Sequence, residues 1–220
     1  MAIKSETRPV AGFDRINVRY RGDVVLEQGD TEGLLIETDE ELLPRITSDV
    51  QDGRLTIGFD VLWRDWLTEW IRLSGESEKK IRYTINMRQI SGISLSGAVN
   101  LQAAQIKAED CSISISGSGK VKIGHFEGMK LANSISGSGT IELAGSAQRH
   151  TLHVSGSGTI KAADFVTQEA DIHISGSAKA VVKVAQTLSV HISGSGDVQY
   201  VGQPQVRQHI TGVGRVRQVS

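Results

Sequence analysis

The chain has 220 residues, with 24 Lys+Arg against 25 Asp+Glu and a formal net charge of -1. Roughly 70% of the unfolded surface is buried when a chain of this size folds, so no disulfide or metal staple is required; with Cys111 as the single cysteine, no intrachain disulfide is available. The balanced charge argues against a nucleic-acid partner, which calls for a concentrated basic surface, and no apolar run reaches the about 20 residues that span a bilayer.

The first residues, Met-Ala-Ile-Lys-Ser-Glu-Thr-Arg, contain no apolar h-region and no cleavage site. Residues 1–11 read as an N-terminal tail, followed by a single domain over 12–217. Within it, 12–90 form irregular N-terminal coils or a cap and 91–217 form regular coils. Residues 12–59 are β-like, with candidate strands at Val24 to Glu27, Leu34 to Thr38, Ile46 to Val50 and Leu55 to Phe59. Gln28-Gly29-Asp30 and Asp52-Gly53 are turn signals between them and suggest hairpins or irregular coils that cap a stack.

Residues 60–80 break the pattern. Trp63, Trp66 and Trp70 are spaced 3 and 4 apart, with Leu62, Leu67 and Ile71 beside them. That is helical spacing over a short insertion. Tryptophan is enriched at interface anchors, so these three residues are the candidate partner-binding set, with a hydrophobic cap over an open end as the other reading. A polar stretch from Ser74 to Lys80 follows, and Ile81 to Met87 returns to strand.

From there a repeat dominates. Ile-Ser-Leu-Ser-Gly-Ala at 93–98 becomes Ile-Ser-Ile-Ser-Gly-Ser at 113–118 and recurs to Gln-His-Ile-Thr-Gly-Val at 208–213. The aligned hydroxyl residues are Ser96, Ser116, Ser136, Ser155, Ser175, Ser193 and Thr211, with spacings of 20, 20, 19, 20, 18 and 18. Such a period marks stacked supersecondary units. Apolar residues alternate with polar ones before each Ser-Gly (Ile113 and Ile115, Ile172 and Ile174) and after it (Val121 and Ile123, Ile141 and Leu143). Period two means strands with one buried face. Glycine between the runs marks a corner. The fold class is therefore all-β: a right-handed parallel β-helix, or β-solenoid, of about seven Ser-Gly-cornered coils. Seven coils spaced about 4.8 Å apart give a stack about 34 Å tall.

His153, His173, His191 and His209 each precede the aligned Ser or Thr by two residues. They alternate with inward residues and so form an outward column. Such a column is a candidate metal or pH-sensing ladder, although a one-dimensional row makes a poor tetrahedral site. The stacked Ser-Gly corners offer exposed hydroxyls to a glycan or repetitive surface, or serve only as compact corners.

A catalytic reading meets an obstacle. The outward columns after the corner are Lys120, Thr140, Thr159, Lys179, Asp197, Arg215 and Lys122, Glu142, Lys161, Val181, Gln199, Arg217. No acidic pair stacks in adjacent coils, as a β-helical glycosidase would need. Gly-x-Ser-x-Gly is approached only loosely, as at Gly137-Ser138-Gly139, and recurrence of that run along the stack marks a corner, not a nucleophile elbow. No P-loop or Cys/His zinc spacing calls for a cofactor.

The Ile-x-Ile-Ser-Gly-Ser-Gly corners, Phe13-Asp14-Arg15-Ile16-Asn17-Val18 and Gly53-Arg54-Leu55-Thr56-Ile57 together resemble the head GIN domain family of auto-transporter adhesins. The resemblance runs over about 12–217. It implies a parallel β-helical fold, an exported bacterial surface protein, an adhesin role and no catalytic residues. Expected partners are a second copy, a glycan or another surface component. The alternatives are a self-assembling scaffold that stacks end to end as bactofilins do and, more remotely, a polysaccharide-active enzyme.

Overall fold

The computed structural model describes residues 3–60 and 80–219. Those residues form one continuous sheet of 17 strands. In chain order these are β1 (Ile3–Arg8), β2 (Arg15–Val18), β3 (Gly22–Gln28), β4 (Gly33–Asp39), β5 (Ile46–Gln51) and β6 (Arg54–Phe59). Next come β7 (Arg82–Met87), β8 (Gly92–Leu95), β9 (Ala98–Ala103), β10 (Ile106–Ile115), β11 (Ser118–Ile135) and β12 (Ser138–Val154). The last are β13 (Ser157–Ile174), β14 (Ser177–Ile192), β15 (Ser195–Val201), β16 (Gln205–Ile210) and β17 (Val213–Gln218). The insertion expected over 60–80, with Trp63, Trp66 and Trp70, lies outside the described residues except at its two ends. No helix among the described residues is long and apolar enough to cross a membrane.

From β8 onward the chain winds as a parallel β-solenoid. Each of β11 to β14 runs a whole circuit from one Ser-Gly corner to the next, so the seven corners delimit about six turns. The alternation in sequence sets which side chains enter the core. Ile115, Ile135, Val154, Ile174 and Ile192 stack in register as one inward column, and Val121, Ile141, Ile160, Ala180 and Val198 as another. Burying each such aliphatic side chain contributes about 1.5–3 kcal/mol, and parallel pairing satisfies the backbone of the coil above and below.

The period shortens without disturbing the corner. Ser136 to Ser155 is one residue short, and register slips between Ile123 and Phe126 of β11. Gly145, at φ 111, pairs with Phe126 there and then with Phe165 of the next coil. Having no side chain, it lets the two rings meet edge to face at 5.9 Å. The next shortening falls between Ala162 and Glu169 of β13, at the same bend. Ser157, Ser177 and Ser195 therefore stay aligned, as do His153, His173 and His191.

The N-terminal part is threaded out of sequence order. β2 lies between β6 and β8, and β3 between β7 and β9. β4 is antiparallel to both β7 and β1, and β5 is antiparallel to β6. Asp52 and Gly53, at φ 50 and φ 73, form the two-residue turn between β5 and β6, the positive-φ pattern of a type I′ hairpin. The turn signal at 28–30 does not make a hairpin, because β7 occupies the place beside β3. Residues 3–8, read from sequence as part of a tail, form the edge strand β1. Its residues are nearly all polar, so no apolar period marks them.

Candidate functional site

The Ser-Gly corners stack into a ridge along the molecule. Ser138 N–H donates to the Gly117 carbonyl at 3.0 Å, Ser157 N–H to Gly137 at 2.9 Å and Ser177 N–H to Gly156 at 2.9 Å. The corner is thus a backbone hydrogen-bond ladder. A Cβ at Gly117, Gly137, Gly156, Gly176, Gly194 or Gly212 would lie 2.0–2.2 Å from the carbonyl oxygen of the corner one coil earlier. Only glycine permits that approach. The second glycine column is different. A Cβ at Gly158 or Gly196 would meet only aliphatic side chains, at 3.0 Å or more, and Ala178 occupies the same column.

One flank of the ridge is a shallow groove of about 940 Å³. It is lined by the in-register row Ser138, Ser157, Ser177 and Ser195 and by the row Thr140, Thr159, Lys179, Asp197 and Arg215, with the column that holds Gly158 and Ala178 between them. Those four serines are exposed. Neighbouring coils present the same polar group at the strand spacing of about 4.8 Å, so the groove is a one-dimensional array of hydroxyls with charges at one end.

The other flank holds the histidine column. His153 pairs with His173, His173 with His191 and His191 with His209. The first two ring pairs are stacked at 4.9 and 4.8 Å, and the last is tilted at 6.1 Å. Together with Ser155, Ser175 and Ser193 they line a groove of about 260 Å³. Asp171 belongs to this flank although reading along the column misses it. It sits two residues before His173 on the same outward face of β13, and its Oδ1 lies 3.1 Å from His173 Nε2. That oxygen is covered and makes no other hydrogen bond, while the Asp171 side chain as a whole is half exposed. The recoverable signal is parity: Asp-x-His on a strand points both side chains the same way.

The charges that read as mixed in sequence pair across coils. Glu142 meets both Lys120 and Lys161 at 3.0 Å, Lys107 meets Glu127 at 3.0 Å, and Arg217 meets Asp197 at 3.1 Å. The two lysines hold the Glu142 carboxyl below its ordinary range. Cys111 is buried, and desolvation pushes its thiol up to about 12, so it is a packing residue and not a nucleophile. His150 is not part of the column: it is buried, packs edge-on against Phe165 at 5.4 Å, and accepts from the Asn133 amide at 2.8 Å through Nε2. Desolvation lowers its pKa to about 4, so it is neutral with its proton on Nδ1. Trp63, Trp66 and Trp70 lie outside the described residues and are not placed against either flank.

Residues 12–204 match the family model described as "Putative auto-transporter adhesin, head GIN domain". Solved structures share the fold. The crystal structure of a putative adhesin from Bacteroides fragilis NCTC 9343 is 22% identical, covers 99% of this chain and 97% of its own, and superposes with a TM-score of 0.88. A putative adhesin from Parabacteroides merdae ATCC 43184 is 23% identical over 99% of this chain and 96% of its own, with a TM-score of 0.73. A protein from Parabacteroides distasonis ATCC 8503, named a putative lipid binding protein, is 23% identical over 99% and 97%, with a TM-score of 0.74. No curated protein matches the sequence. The chain belongs to the head GIN domain family.

Proposed function

We propose that this head GIN domain is a non-catalytic, adhesin-like surface module that binds an elongated polar ligand, a glycan chain, along the groove beside its corner ridge. The observation that carries this reading is the row Ser138, Ser157, Ser177 and Ser195, exposed in register along the groove. A repeating ligand meets a repeating surface there, so many weak hydroxyl contacts add along the stack without any one of them being strong. The rigid backbone ladder beneath keeps the array ordered before binding, which lowers the entropy lost on association. Lys179, Asp197 and Arg215 at one end fix direction along the groove. Trp63, Trp66 and Trp70 remain sequence-level candidates for contact with a protein partner or a second copy.

A glycan array probed with the native domain and with the Ser157→Arg, Ser177→Arg double variant tests this. Both sites are exposed, so the variant should keep its fold while its side chains fill the groove. Retention of a glycan class by the native domain, lost in the variant, is the expected result. No retention, or equal retention by both, overturns the groove reading.

Charge at the two ends favours a second reading, the self-assembling scaffold. Arg207 and Arg215 lie on the last coil, with Arg217 paired to Asp197, whereas Glu37, Asp39 and Asp49 lie on the antiparallel strands at the other end, beside the Lys4–Glu40 pair. Head-to-tail contact between copies brings opposite signs together, and a heterologous contact that does not close makes filaments. Sedimentation that rises with protein concentration and falls with salt supports the scaffold; a concentration-independent monomer rejects it.

A further inference from the structure

We propose that Asp171, His173 and His191 form a binding site for a divalent transition-metal ion, independent of the glycan groove on the opposite flank of the ridge. A column of imidazoles alone presents its donors in a line, which suits no tetrahedral ion. Asp171 changes that geometry by adding a carboxylate to the side of the column. One ligand atom from each of the three residues lies within 4.8 Å of the other two, and Asp171 Oδ1 and His173 Nε2 are already 3.1 Å apart. An ion with ligands at about 2.1 Å wants its donors about 3.4 Å from one another in a tetrahedron. One edge of the site is therefore formed as it stands.

The remaining gap follows from the fold. His173 and His191 sit on adjacent coils with their rings 4.8 Å apart and nearly parallel, 4° between planes. Parallel rings aim their in-plane lone pairs in the same direction, so one ring must leave the stack for both to reach one ion. His191 is the exposed member and lines an open groove, so it can turn about its side-chain torsions while the backbone ladder stays fixed. Asp171 Oδ1 has only His173 Nε2 beside it, and the half-exposed Asp171 side chain leaves the carboxylate within reach of a cation. Two imidazoles and one carboxylate form a donor set for zinc, nickel or copper in preference to calcium or magnesium, which take oxygen ligands. His153 and His209, at the two ends of the column, extend it without adding a carboxylate.

Calorimetric titration of the full chain with zinc chloride, repeated with nickel, tests the site. The native protein is expected to bind one ion per chain. His173→Gln and His191→Gln should each abolish binding, and Asp171→Asn should weaken it at least tenfold. His153→Gln should leave affinity within about twofold. Circular dichroism of each variant confirms that the coils are intact, as outward positions on a backbone-paired sheet should allow. A second readout is the imidazole proton spectrum with diamagnetic zinc, in which His173 and His191 resonances shift and His153 does not. Three outcomes overturn the proposal: no binding by the native chain, Asp171→Asn binding as tightly as the native chain, or affinity that falls equally with loss of any histidine of the column. The last two would mean generic chelation by clustered imidazoles.

Discussion

Five of the seven corners hold two glycines, for two different reasons, and substitution separates them. At Gly156 a Cβ would lie 2.1 Å from the Gly137 carbonyl oxygen, and backbone cannot move aside without breaking the ladder. Gly156→Ala is expected to destabilise by about 3 kcal/mol or more, the range of severe overpacking. At Gly158 the nearest atoms are the flexible ends of Val154 and Ile135, and Ala178 already fills the equivalent place one coil on. Gly158→Ala should therefore lose about 1 kcal/mol or less. Thermal unfolding of the two variants side by side reads the difference, and equal losses would mean the corner carbonyls yield. A second residue-scale effect concerns acid. His150 is held near 4 in the fold by burial, against an ordinary value of about 6.5 in the unfolded chain. Above that ordinary value both states are neutral and pH does not matter. Below it only the unfolded state takes up the proton, so stability falls by about 1.4 kcal/mol per pH unit, to a loss of roughly 3 kcal/mol near pH 4. Urea unfolding at about pH 7 and about pH 4.5 should show this slope, and the Asn133→Leu, His150→Leu variant should flatten it by removing the buried base together with its amide partner. An unchanged slope would place the acid sensitivity elsewhere.

The strands differ in how many neighbours they have. β12 and β13 are paired on both sides for nearly their whole length, whereas β16 pairs only with β14 and β17 only with β15. In an edge strand every second amide points away from its partner, and Val206, Ile210 and Val216 are only partly covered. Amide exchange should therefore be fastest in β16 and β17 and slowest in β12 and β13. Equal protection at the edge would mean that another surface covers it, as end-to-end assembly requires. The edge carries three arginines, which discourages pairing with an identical edge but not with an acidic one. Element by element, the regular coils were legible because each inward Ile or Val recurs at period two and each corner repeats a glycine that sterics demand. β1 was not, since an edge strand of Lys, Glu and Arg buries almost nothing. The insertion of β2 and β3 between later strands was not either, because parallel pairing leaves no local mark of which strand comes next. At the candidate metal site His173 and His191 were legible from spacing alone. Asp171 was hidden because its neighbours in the same column, Thr151 and Ser189, share no chemistry with it.

At the scale of the molecule, each turn packs mainly on the turns on either side, with the Phe126–Phe165 contact over Gly145 reaching one turn further, so stability is close to a sum of turns and interfaces and not a property of one closed core. That makes a definite demand on deletions. Removing residues 157–176 takes out one whole circuit and joins Gly156 to Ser177, restoring Ser-Gly-Ser at the junction. Ser138 then faces Ser177, Ile141 faces Ala180, Leu152 faces Val190 and His153 faces His191, each a pairing of the same inward or outward parity as before. The variant should fold to a shorter solenoid with the same β circular dichroism and a cooperative but lower melting temperature. Part of that loss comes from Phe165, whose ring meets Phe126 and His150 in the bend, and part from the ion pairs that Lys161 and Glu169 make across coils. Removing half a circuit, residues 157–166, should instead prevent folding. The corners on the two sides of the deletion would then oppose mid-strand segments, and at that junction a glycine carbonyl would meet a Cβ. If both deletions folded, the glycine ridge would not be what sets the register. If neither did, the coils would not be independent units, and the N-terminal cap would have to be coupled to turns several coils away.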